Sequence, residues 1–504
     1  MHFSFLSACH KNIYIMNQHE KALRLKFAYR TRFYFLFLPI EKNGPSFMNH
    51  YEQLKNICPD RATISPAELC CYSADGSQVK GAPEIVVFPK STEEVSKIMK
   101  YADQNLIPVT PRGAGTGLAG GAVALCGGIL MDMSLMNQIL HIDIDNIQVT
   151  AEAGVIQDQL NAALKPYGFF FPPNPGSSAT CTLGGQIANN ASGMRCVKYG
   201  TTKNYVLDLE VVLANGDVIN TGSNCLKSSA GYDLSRLYVG SEGTLGIITK
   251  AVLKIAPLPK ARKLIMVSFP TPEDAGLSVS RIFAAGVTPS ACEIMDKTSV
   301  SVLTTLDPNI IFPRDGDVVL FEVDGSKNAV DESAELLAKA CEDISNSILI
   351  TDDPVKMKEI WDARSLLGAA VSKIDPTKTR IYVGEDLGVP IKQLPQMISK
   401  IYEITGEAGL TPMIYGHVGD GTLHVGLFID VLDENEWKKL EITADKLHLA
   451  AISLGGTVSS EHGIGAARGQ YLAQQCGPAF ELMKTIKKAL DPKGILNPKK
   501  LGLN

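Results

Sequence analysis

Histidines and one carboxylate are concentrated in two glycine-rich stretches near the end of the chain. Of nine histidines in 504 residues, three lie in GHVGDGTLHVG (416–426) and SSEHGIG (459–465). His417 and His424 are seven residues apart, so on one straight strand they would point to opposite faces of a sheet. The glycines between them can turn the chain and bring both side chains to one side. Two imidazoles and the Glu461 carboxylate can then bind a divalent metal such as zinc with coordination positions left open. The alternative is that these histidines only satisfy hydrogen bonds in a protein core.

Three further glycine-rich stretches predict a large polar ligand that carries phosphates. They are PRGAGTGLAGG (111–121), PPNPGSSATCTLGGQIANNASGMRCVKYG (172–200) and VGSEGTLGIIT (239–249). Glycine accepts positive φ and lets backbone N–H groups approach a ligand closely, which suits a diphosphate. The first stretch alone is also consistent with a tight structural turn. A loop as long as the second is usually functional in a compact domain.

The elements that must position these residues alternate between strands and helices. Ser91 or Thr92 caps a predicted helix that ends near Asp103, and Glu94 is placed for a capping box. Asn215-Gly216 predicts a hairpin. The other predicted strands are 84–88, 107–110, 129–133, 149–152, 246–255, 265–269, 318–323 and 348–351, and the other predicted helices begin near 155 or cover 331–341 and 394–408. In the second half, strands interleaved with helices predict a sheet covered on one face by helices.

Composition changes and a proline-rich break suggest how the chain is divided. Residues 1–47 are rich in Lys and Arg and read either as an Arg-rich presequence or as an extension upstream of a start at Met48. We exclude them from the fold. Pro257-Leu258-Pro259 marks a boundary between two folded units. The predicted units are 48–258, 259–445 and a C-terminal helical segment at 446–504.

The overall composition is that of a folded globular protein and excludes several classes of function. Hydrophobic residues make up 45% of the chain and charged residues 20%. A formal net charge of -5 gives no reason to expect nucleic acid as a partner. The apolar run at 33–38 is far shorter than the ~20 residues of a membrane span, so no transmembrane segment is expected. Eleven scattered cysteines without a CxxC pair suit a reducing compartment, and the cytoplasm is predicted.

Six stretches together resemble the FAD-binding fold shared by vanillyl-alcohol oxidase and p-cresol methylhydroxylase. They are PRGAGTGLAGG, NPGSSATCTLGGQIANNASG, AGYDLSRLYVGSEGTLGIIT, GHVGDGTLHVG, SSEHGIG and DPKGILNPKKL. The chain is more closely similar to the D-lactate and glycolate dehydrogenase group, which includes the bacterial glycolate oxidase D subunit and D-2-hydroxyglutarate dehydrogenase. The resemblance implies an α+β fold, with a two-part FAD-binding domain and an α/β cap domain that has a mainly antiparallel sheet. Segment 446–504 would complete the active site and return to the FAD domain.

The resemblance also implies which residues bind FAD. Residues of the first stretch would hold the diphosphate, those of the second would line the diphosphate and isoalloxazine, and those of the third would flank the adenine end. In this order they are Arg112, Gly113, Ala114, Gly115, Thr116 and Gly117; Gly176, Ser177, Thr182, Gly184, Gly185, Asn189, Ser192 and Gly193; and Glu242, Gly243, Gly246 and Ile248. Some relatives bind flavin covalently through a His or Cys near the first stretch. Residues 112–121 contain neither, so non-covalent FAD is expected.

The same resemblance gives roles to the residues of the histidine motifs. The residues that match His417, His424 and Glu461 bind a metal, for which zinc or manganese is expected. The residue that matches His462 is the catalytic base. Arg364, in IWDARSLLG, matches the arginine that binds the substrate carboxylate. The alternative for this arginine is an ordinary surface ion pair with a neighbouring acid.

These roles imply oxidation of a small D-2-hydroxy acid to the 2-oxo acid, with hydride transfer to flavin. The chain departs from the family at Thr422, Gly426 and Gln186, where asparagines are usual. Gly384–Leu387 also lacks the lysine found near this point in a relative that acts on a five-carbon diacid. This absence favours D-lactate or glycolate over 2-hydroxyglutarate.

The partners and the alternative functions follow from the same family. Because the chain has no iron–sulfur spacing, reduced FAD must pass electrons to a quinone or to another protein. An iron–sulfur subunit or an electron-transferring flavoprotein is expected, and such a subunit could hold the protein at the periphery of the inner membrane. The oligomeric state, including a homodimer, is left open. The alternatives are a D-2-hydroxyglutarate dehydrogenase, a non-redox flavoenzyme like alkyl-dihydroxyacetone-phosphate synthase, and a flavin subunit that only relays electrons.

Overall fold

The computed structural model of the protein describes residues 45–382 and 384–503. The extension predicted at 1–47 therefore lies outside the described residues, except for the start of a helix at Pro45. Contacts group the chain from Asn49 onward as one unit. The division at 258 and 445 thus stays a prediction.

The described residues alternate between strands and helices along most of the chain. The strands are β1 (Ala62–Thr63), β2 (Ile85–Val87), β3 (Val109–Arg112), β4 (Ile129–Asp132), β5 (Ile139–Asp143), β6 (Gln148–Glu152), β7 (Phe169–Phe170), β8 (Val206–Val212), β9 (Val218–Asn220), β10 (Ile247–Lys254), β11 (Ala256–Pro257), β12 (Ala261–Phe269), β13 (Ala291–Met295), β14 (Asp317–Gly325), β15 (Ser347–Thr351), β16 (Lys378–Ile381), β17 (Asp386–Gly388), β18 (Met413–His417) and β19 (Thr422–Asp430). The α-helices are α1 (Pro45–Ile57), α2 (Pro66–Cys71), α3 (Thr92–Asn105), α4 (Gln157–Leu164), α5 (Leu183–Asn189), α6 (Cys196–Tyr199), α7 (Leu234–Tyr238), α8 (Pro272–Ala284), α9 (Lys297–Leu306), α10 (Lys327–Cys341), α11 (Pro354–Ser365), α12 (Leu367–Ile374), α13 (Leu394–Glu407), α14 (Glu434–Ser453), α15 (Gly469–Cys476) and α16 (Ala479–Leu490).

The first half of the fold contains two larger sheets. One has the order β1-β2-β4-β3, with β2, β4 and β3 parallel. The other has the order β5-β6-β10-β8-β9 and is antiparallel throughout. Strand β3 ends at Arg112, the second residue of the first glycine-rich stretch. The carboxyl end of this parallel strand therefore leads directly into the glycine-rich stretch.

Local signals in the sequence set the boundaries of these elements well. The Ser91 side chain accepts a hydrogen bond from the Glu94 N–H at 3.2 Å, which confirms the predicted cap of α3. Strands β8 and β9 form the predicted hairpin. Gly216 has φ +83° there, and a Cβ at this position would lie 2.7 Å from the Ser96 carbonyl oxygen. The turn therefore requires glycine for both conformation and space.

The second half is built on one large antiparallel sheet with the order β15-β12-β14-β13-β18-β19-β16, and β17 also pairs with β19. The predicted, mainly antiparallel cap sheet is thus confirmed. Helices α8, α10, α13 and α14 cover one face around Val267 and Phe321.

The prediction that helices cover only one face is wrong. Helices α9, α11 and α12 pack on part of the other face around Met266 and Leu320. The reason lies in β14, where Val318–Phe321 are consecutive apolar residues that are all buried. A strand apolar on both sides needs cover on both faces. The remaining part of that second face carries polar side chains.

Two further features concern the helices and the cysteines. Among the described residues, no helix combines the length and the apolar character that a membrane crossing requires. The described cysteines are all free thiols.

Candidate active site

A cavity of about 370 Å³ lies between the three glycine-rich stretches. The predicted cofactor residues line it, except Ser192 and Gly193. Gly193 is instead packed against the chain, where a Cβ would lie 2.0 Å from the Asn174 carbonyl oxygen. The three stretches are therefore brought together around one space, as a single ligand would require.

The walls of this cavity suit a diphosphate. The backbone N–H groups of Gly113–Gly117 make no hydrogen bond to other described residues, so they remain as donors. A Cβ at Gly113 would lie 2.2 Å from Thr182 Oγ1, and one at Gly115, with φ +69°, would lie 2.1 Å from Arg112 Nη2. A side chain at either glycine would collide with Thr182 or Arg112, so both positions require glycine. The loop thus fits a ligand that approaches the backbone closely.

Two side chains in the cavity wall add to this fit. Arg112 donates to the Ala74 carbonyl oxygen at 2.7 Å, so its guanidinium is anchored at the base of the first stretch. Gln186 is 2% exposed, and neither its amide nitrogen nor its amide oxygen has a hydrogen-bond partner among the described residues. A buried, unpaired amide in a cavity wall is a donor and an acceptor for a polar ligand.

Strand register places a row of polar side chains on the second face of the large sheet. His417 is opposite Glu293, because β18 pairs with β13. His424 is opposite Tyr415 on β18 and Asp386 on β17. Directly opposite residues of antiparallel strands share a face. All five side chains therefore stand on the second face of the sheet.

The two histidines of the first motif meet Glu461. The chain turns through the short helix Val418–Asp420, so His417 and His424 lie on neighbouring antiparallel strands. His417 Nε2 is 3.1 Å from Glu461 Oε2, and His424 Nε2 is 3.5 Å from the same oxygen. The three candidate ligand atoms lie within 4.8 Å of one another. This donor set suits a divalent metal.

A second set of candidate ligands overlaps the first. Glu385, His424 and His462 also offer atoms within 4.8 Å of one another. Glu385 Oε1 is 2.5 Å from His462 Nδ1, although the two are not aligned for a hydrogen bond. Glu385 Oε2 accepts a hydrogen bond from Arg380 Nη2 at 2.6 Å. Because this carboxylate is already next to the two arginines Arg380 and Arg468, the set with Glu461 is the better metal site.

Buried carboxylates that the sequence reasoning missed hold the cluster in place. Glu293, fully buried, accepts a hydrogen bond from Arg364 Nη2 at 2.6 Å and contacts His417 Nδ1. Asp386, also fully buried, accepts hydrogen bonds from the backbone N–H groups of Glu461 at 3.1 Å and His462 at 2.8 Å. A carboxylate within an apolar run, as in ACEIM, is a signal in the sequence that could have indicated such a role.

A further missed residue, Arg468, ties these groups to the second loop. Its side chain is fully buried, and Nη1 donates to the Gly463 carbonyl oxygen at 2.8 Å. Its Nη2 lies 3.6 Å from Glu385 Oε1, and its Nη1 lies 3.9 Å from Asp386 Oδ2. A fully buried cation beside two buried carboxylates keeps both ionised.

The electrostatics of the cluster favour charged carboxylates and a neutral His424. Burial opposes ionisation of Glu461, but His417 and His424 hold its pKa well below the usual range. Burial also opposes a charged His417, but Glu293 and Glu461 raise its pKa well above the ordinary value. Burial lowers the pKa of His424. A neutral His424 has a ring nitrogen free to bind a metal. The carboxylates that stabilise a proton on His417 would also stabilise a metal cation at the same position.

Arg364 belongs to the cluster and is not part of a surface pair. Its side chain is 15% exposed and reaches His417 through Glu293. The Arg364 and Arg380 guanidinium carbons lie 5.5 and 5.1 Å from the centre of the Tyr415 ring. Each arginine has a buried Nε without a partner among the described residues. Both therefore retain donors for an anion.

The histidine cluster opens onto the glycine-lined cavity. Glu461 and His462 are part of the wall of that cavity, together with the first and third stretches. Asn189 Nδ2 donates to the Glu461 carbonyl oxygen at 3.0 Å and joins the two regions directly. A ligand in the cavity and a group bound by the histidines would therefore be neighbours.

Comparisons with known proteins agree with this geometry. Two family models match: an FAD binding domain at residues 83–222 and the C-terminal domain of FAD linked oxidases at residues 258–501. Glycolate oxidase subunit GlcD of Bacillus subtilis (strain 168) is 35% identical over 455 residues, which cover 89% of this chain and 96% of that protein. D-lactate dehydrogenase of Archaeoglobus fulgidus is 38% identical over 418 residues, which cover 83% and 91%. The structure of p-cresol methylhydroxylase superposes with a TM-score of 0.75 at 18% identity, over 91% of this chain and 97% of that one.

The structural likeness confirms the predicted fold class, and the matched domain confirms FAD as the cofactor. The non-redox alternative is not favoured, because the sequence relatives carry the names of a dehydrogenase and an oxidase subunit. The protein belongs to the FAD-linked D-lactate dehydrogenase and glycolate oxidase D-subunit family.

Proposed function

We propose that this flavoenzyme oxidises a small D-2-hydroxy acid, D-lactate or glycolate, to the 2-oxo acid. The observation that carries the proposal is the placement of Glu461 and His462 in the wall of the FAD cavity, with His417 and His424 directly behind. Base, metal ligands and flavin cavity then face the same space. The sizes of the relatives' substrates support a small monocarboxylate.

Each bound group has its own residues and its own chemistry. The glycine-lined cavity would hold FAD, which would supply a hydride acceptor for C2 of the substrate. His417, His424 and Glu461 would hold a divalent metal, zinc or manganese, which would supply a Lewis acid for the substrate hydroxyl. Glu293 fixes His417 through Nδ1 and leaves Nε2 for the metal.

His462 takes the hydroxyl proton. Burial opposes a charged His462, but Glu385 and Asp386 raise its pKa above the ordinary value. When the ring is neutral, the proton that it retains is favoured on Nδ1, which lies 2.5 Å from Glu385 Oε1. Nε2 is then free to accept a proton as a general base. Asp386 accepts a hydrogen bond from the His462 backbone N–H and keeps the residue at the cavity wall. Positioning by two buried carboxylates supports this role over a passive one.

A partner would have to accept the electrons from the reduced flavin. We place the acceptor among iron–sulfur subunits and electron-transferring flavoproteins, because one relative is named as a subunit of an oxidase. The free cysteines of the described residues support a reducing compartment such as the cytoplasm.

The function is tested by adding hydroxy acids to the yellow enzyme without oxygen. D-lactate or glycolate is expected to bleach the flavin absorbance, whereas L-lactate and D-2-hydroxyglutarate are expected to do so much more slowly. Bleaching by D-2-hydroxyglutarate alone would show that the substrate is a five-carbon diacid and not a small monocarboxylate. If no hydroxy acid reduces the flavin while dithionite does, the proposed activity is wrong.

Flavin is expected to leave the protein on acid or heat denaturation. Residues 112–121 offer no tethering side chain, and burial raises the pKa of Cys181, the thiol in the cavity wall, so it stays neutral and unreactive. Precipitation followed by absorbance of the supernatant checks this. Yellow colour that remains in the washed pellet would show a covalent link.

Arg364→Lys is expected to raise KM for the hydroxy acid by about 10- to 100-fold, because lysine keeps the charge but not the fork that pairs with a carboxylate. FAD content should stay unchanged, since Arg364 does not line the cavity. Steady-state kinetics check this prediction. The matched control is Arg380→Lys: if it alone raises KM, the carboxylate is bound by Arg380.

A further inference from the structure

The last residues of the chain run along the base of the FAD cavity. The Val109 N–H donates to the Ile495 carbonyl oxygen and the Asn497 N–H to the Val109 carbonyl oxygen, each at 2.8 Å. This bridge lies beside β3, which leads into the first glycine loop (residues 113–121). Lys500 Nζ donates to the Val123 carbonyl oxygen at 2.6 Å, just beyond that loop. The tail is thus bound to both ends of the loop.

One side chain of the tail joins two walls of the cavity. Asn497 Nδ2 donates to the Gly121 carbonyl oxygen at 2.9 Å and to the Glu242 carbonyl oxygen at 2.7 Å. Gly121 ends the first glycine loop, and Glu242 lies in the turn at residues 241–243 (the Glu242 turn). Asn497 is 1% exposed and does not itself line the cavity. Its amide therefore links the two walls from behind.

The backbone here adopts a conformation that side chains usually avoid. Asn497, Lys499 and Leu501 have φ of +39°, +63° and +58°. Three non-glycine residues in this region within five positions cost free energy that the surrounding contacts must offset. Among non-glycine residues, asparagine is one of those that tolerate this conformation best. The strain indicates that the position of the side-chain amide is kept although the local backbone conformation is unfavourable.

The same linkage extends to the SSEHGIG loop (residues 459–465). Glu242 accepts hydrogen bonds from the N–H groups of Ile464 and Gly465, both at 2.8 Å. The Leu501 N–H donates to the Gly465 carbonyl oxygen at 2.8 Å. The tail, the Glu242 turn and the loop that carries His462 are therefore held together as one network.

We propose that Asn497 is a positioning residue for FAD binding, which holds the first glycine loop and the Glu242 turn at the separation that bound FAD requires. Both of its hydrogen bonds end on carbonyl oxygens of cavity-lining residues. Without the amide, the carbonyl groups of Gly121 and Glu242 lose this donor, and the link between the two walls is lost. This inference concerns FAD retention and does not depend on which substrate is oxidised.

The test follows FAD release from diluted holoenzyme through the fluorescence of free flavin. Asn497→Asp keeps the size and the tolerance for positive φ but places an oxygen against two carbonyl oxygens. FAD release is expected to be about 10- to 100-fold faster. Asn497→Gly removes the side chain and relieves the backbone, and about tenfold faster release is expected. It serves as the second variant if the aspartate variant does not fold.

The control separates positioning from general loss of stability. Thr405→Val removes a buried hydrogen bond to the Ile401 carbonyl oxygen on α13, across the large sheet from the cavity. It is expected to lower the melting temperature without changing FAD release. Wild-type release rates in both Asn497 variants would overturn the proposal. Equal acceleration in Thr405→Val at an equal loss of melting temperature would overturn it too. Failure of every substrate in the bleaching test would leave this result intact, because only flavin is measured here.

Discussion

Chelation of the holoenzyme is expected to abolish oxidation of the hydroxy acid while FAD remains bound. His417, His424 and Glu461 supply the ligands, and the glycine loops supply the FAD cavity, so the two losses are separable. A metal that stabilises developing charge is worth several kcal/mol, equivalent to more than about 100-fold in rate. Turnover, flavin absorbance and elemental analysis after dialysis against a chelator check the result. Zinc or manganese added back should restore the rate.

His424→Ala is expected to lose metal and activity together. The matched control is His448→Leu, which removes another buried imidazole outside both ligand sets. That control should keep its metal. If the histidines only satisfied core hydrogen bonds, both variants would be destabilised alike and wild-type turnover would ignore chelators. Full turnover by wild-type enzyme shown to be free of metal would make the metal proposal wrong.

Local chemistry made much of the fold predictable. Ser91 and Glu94 fixed the start of α3, and Asn215-Gly216 fixed the β8–β9 hairpin, because both signals act within a few residues. The glycine-rich stretches likewise indicated a shared ligand, since glycine has few other reasons to cluster there. These features need no knowledge of distant contacts.

The parts of the site that could not be predicted depend on long-range strand register. Glu293 meets His417 across 124 positions because β13 pairs with β18. Asp386 meets His424 because β17 pairs with β19. A shift of one residue in either pairing would turn these carboxylates to the opposite face. A single sequence shows that a buried acid exists but not which histidine it will face.

Register also explains why the cluster tolerates so much buried charge. Glu293, Glu385 and Asp386 sit on or beside strands of one sheet, and Arg364, Arg380 and Arg468 approach from other elements. Each acid thus has a cationic neighbour before any metal binds. Ion pairs of this kind add little to the free energy of unfolding. They do restrict the rotamers that the paired side chains can adopt. The site therefore gains order at positions where hydride and proton transfer require it.

His462→Ala is expected to slow flavin reduction by about 10²–10⁴, the usual contribution of a general base, while metal and FAD stay bound. The imidazole belongs to the cavity wall, and Glu385 holds its Nδ1 side, so its removal takes away the proton acceptor without touching His417, His424 or Glu461 as ligands. Single-turnover reduction by D-lactate without oxygen measures the step. His462→Gln keeps the volume and polarity of the side chain but not its basicity, so it should be as slow as the alanine variant. Fast reduction in the glutamine variant would assign His462 a space-filling role. Loss of metal in both variants would move it into the ligand set with Glu385 and His424, the second arrangement that the cluster allows.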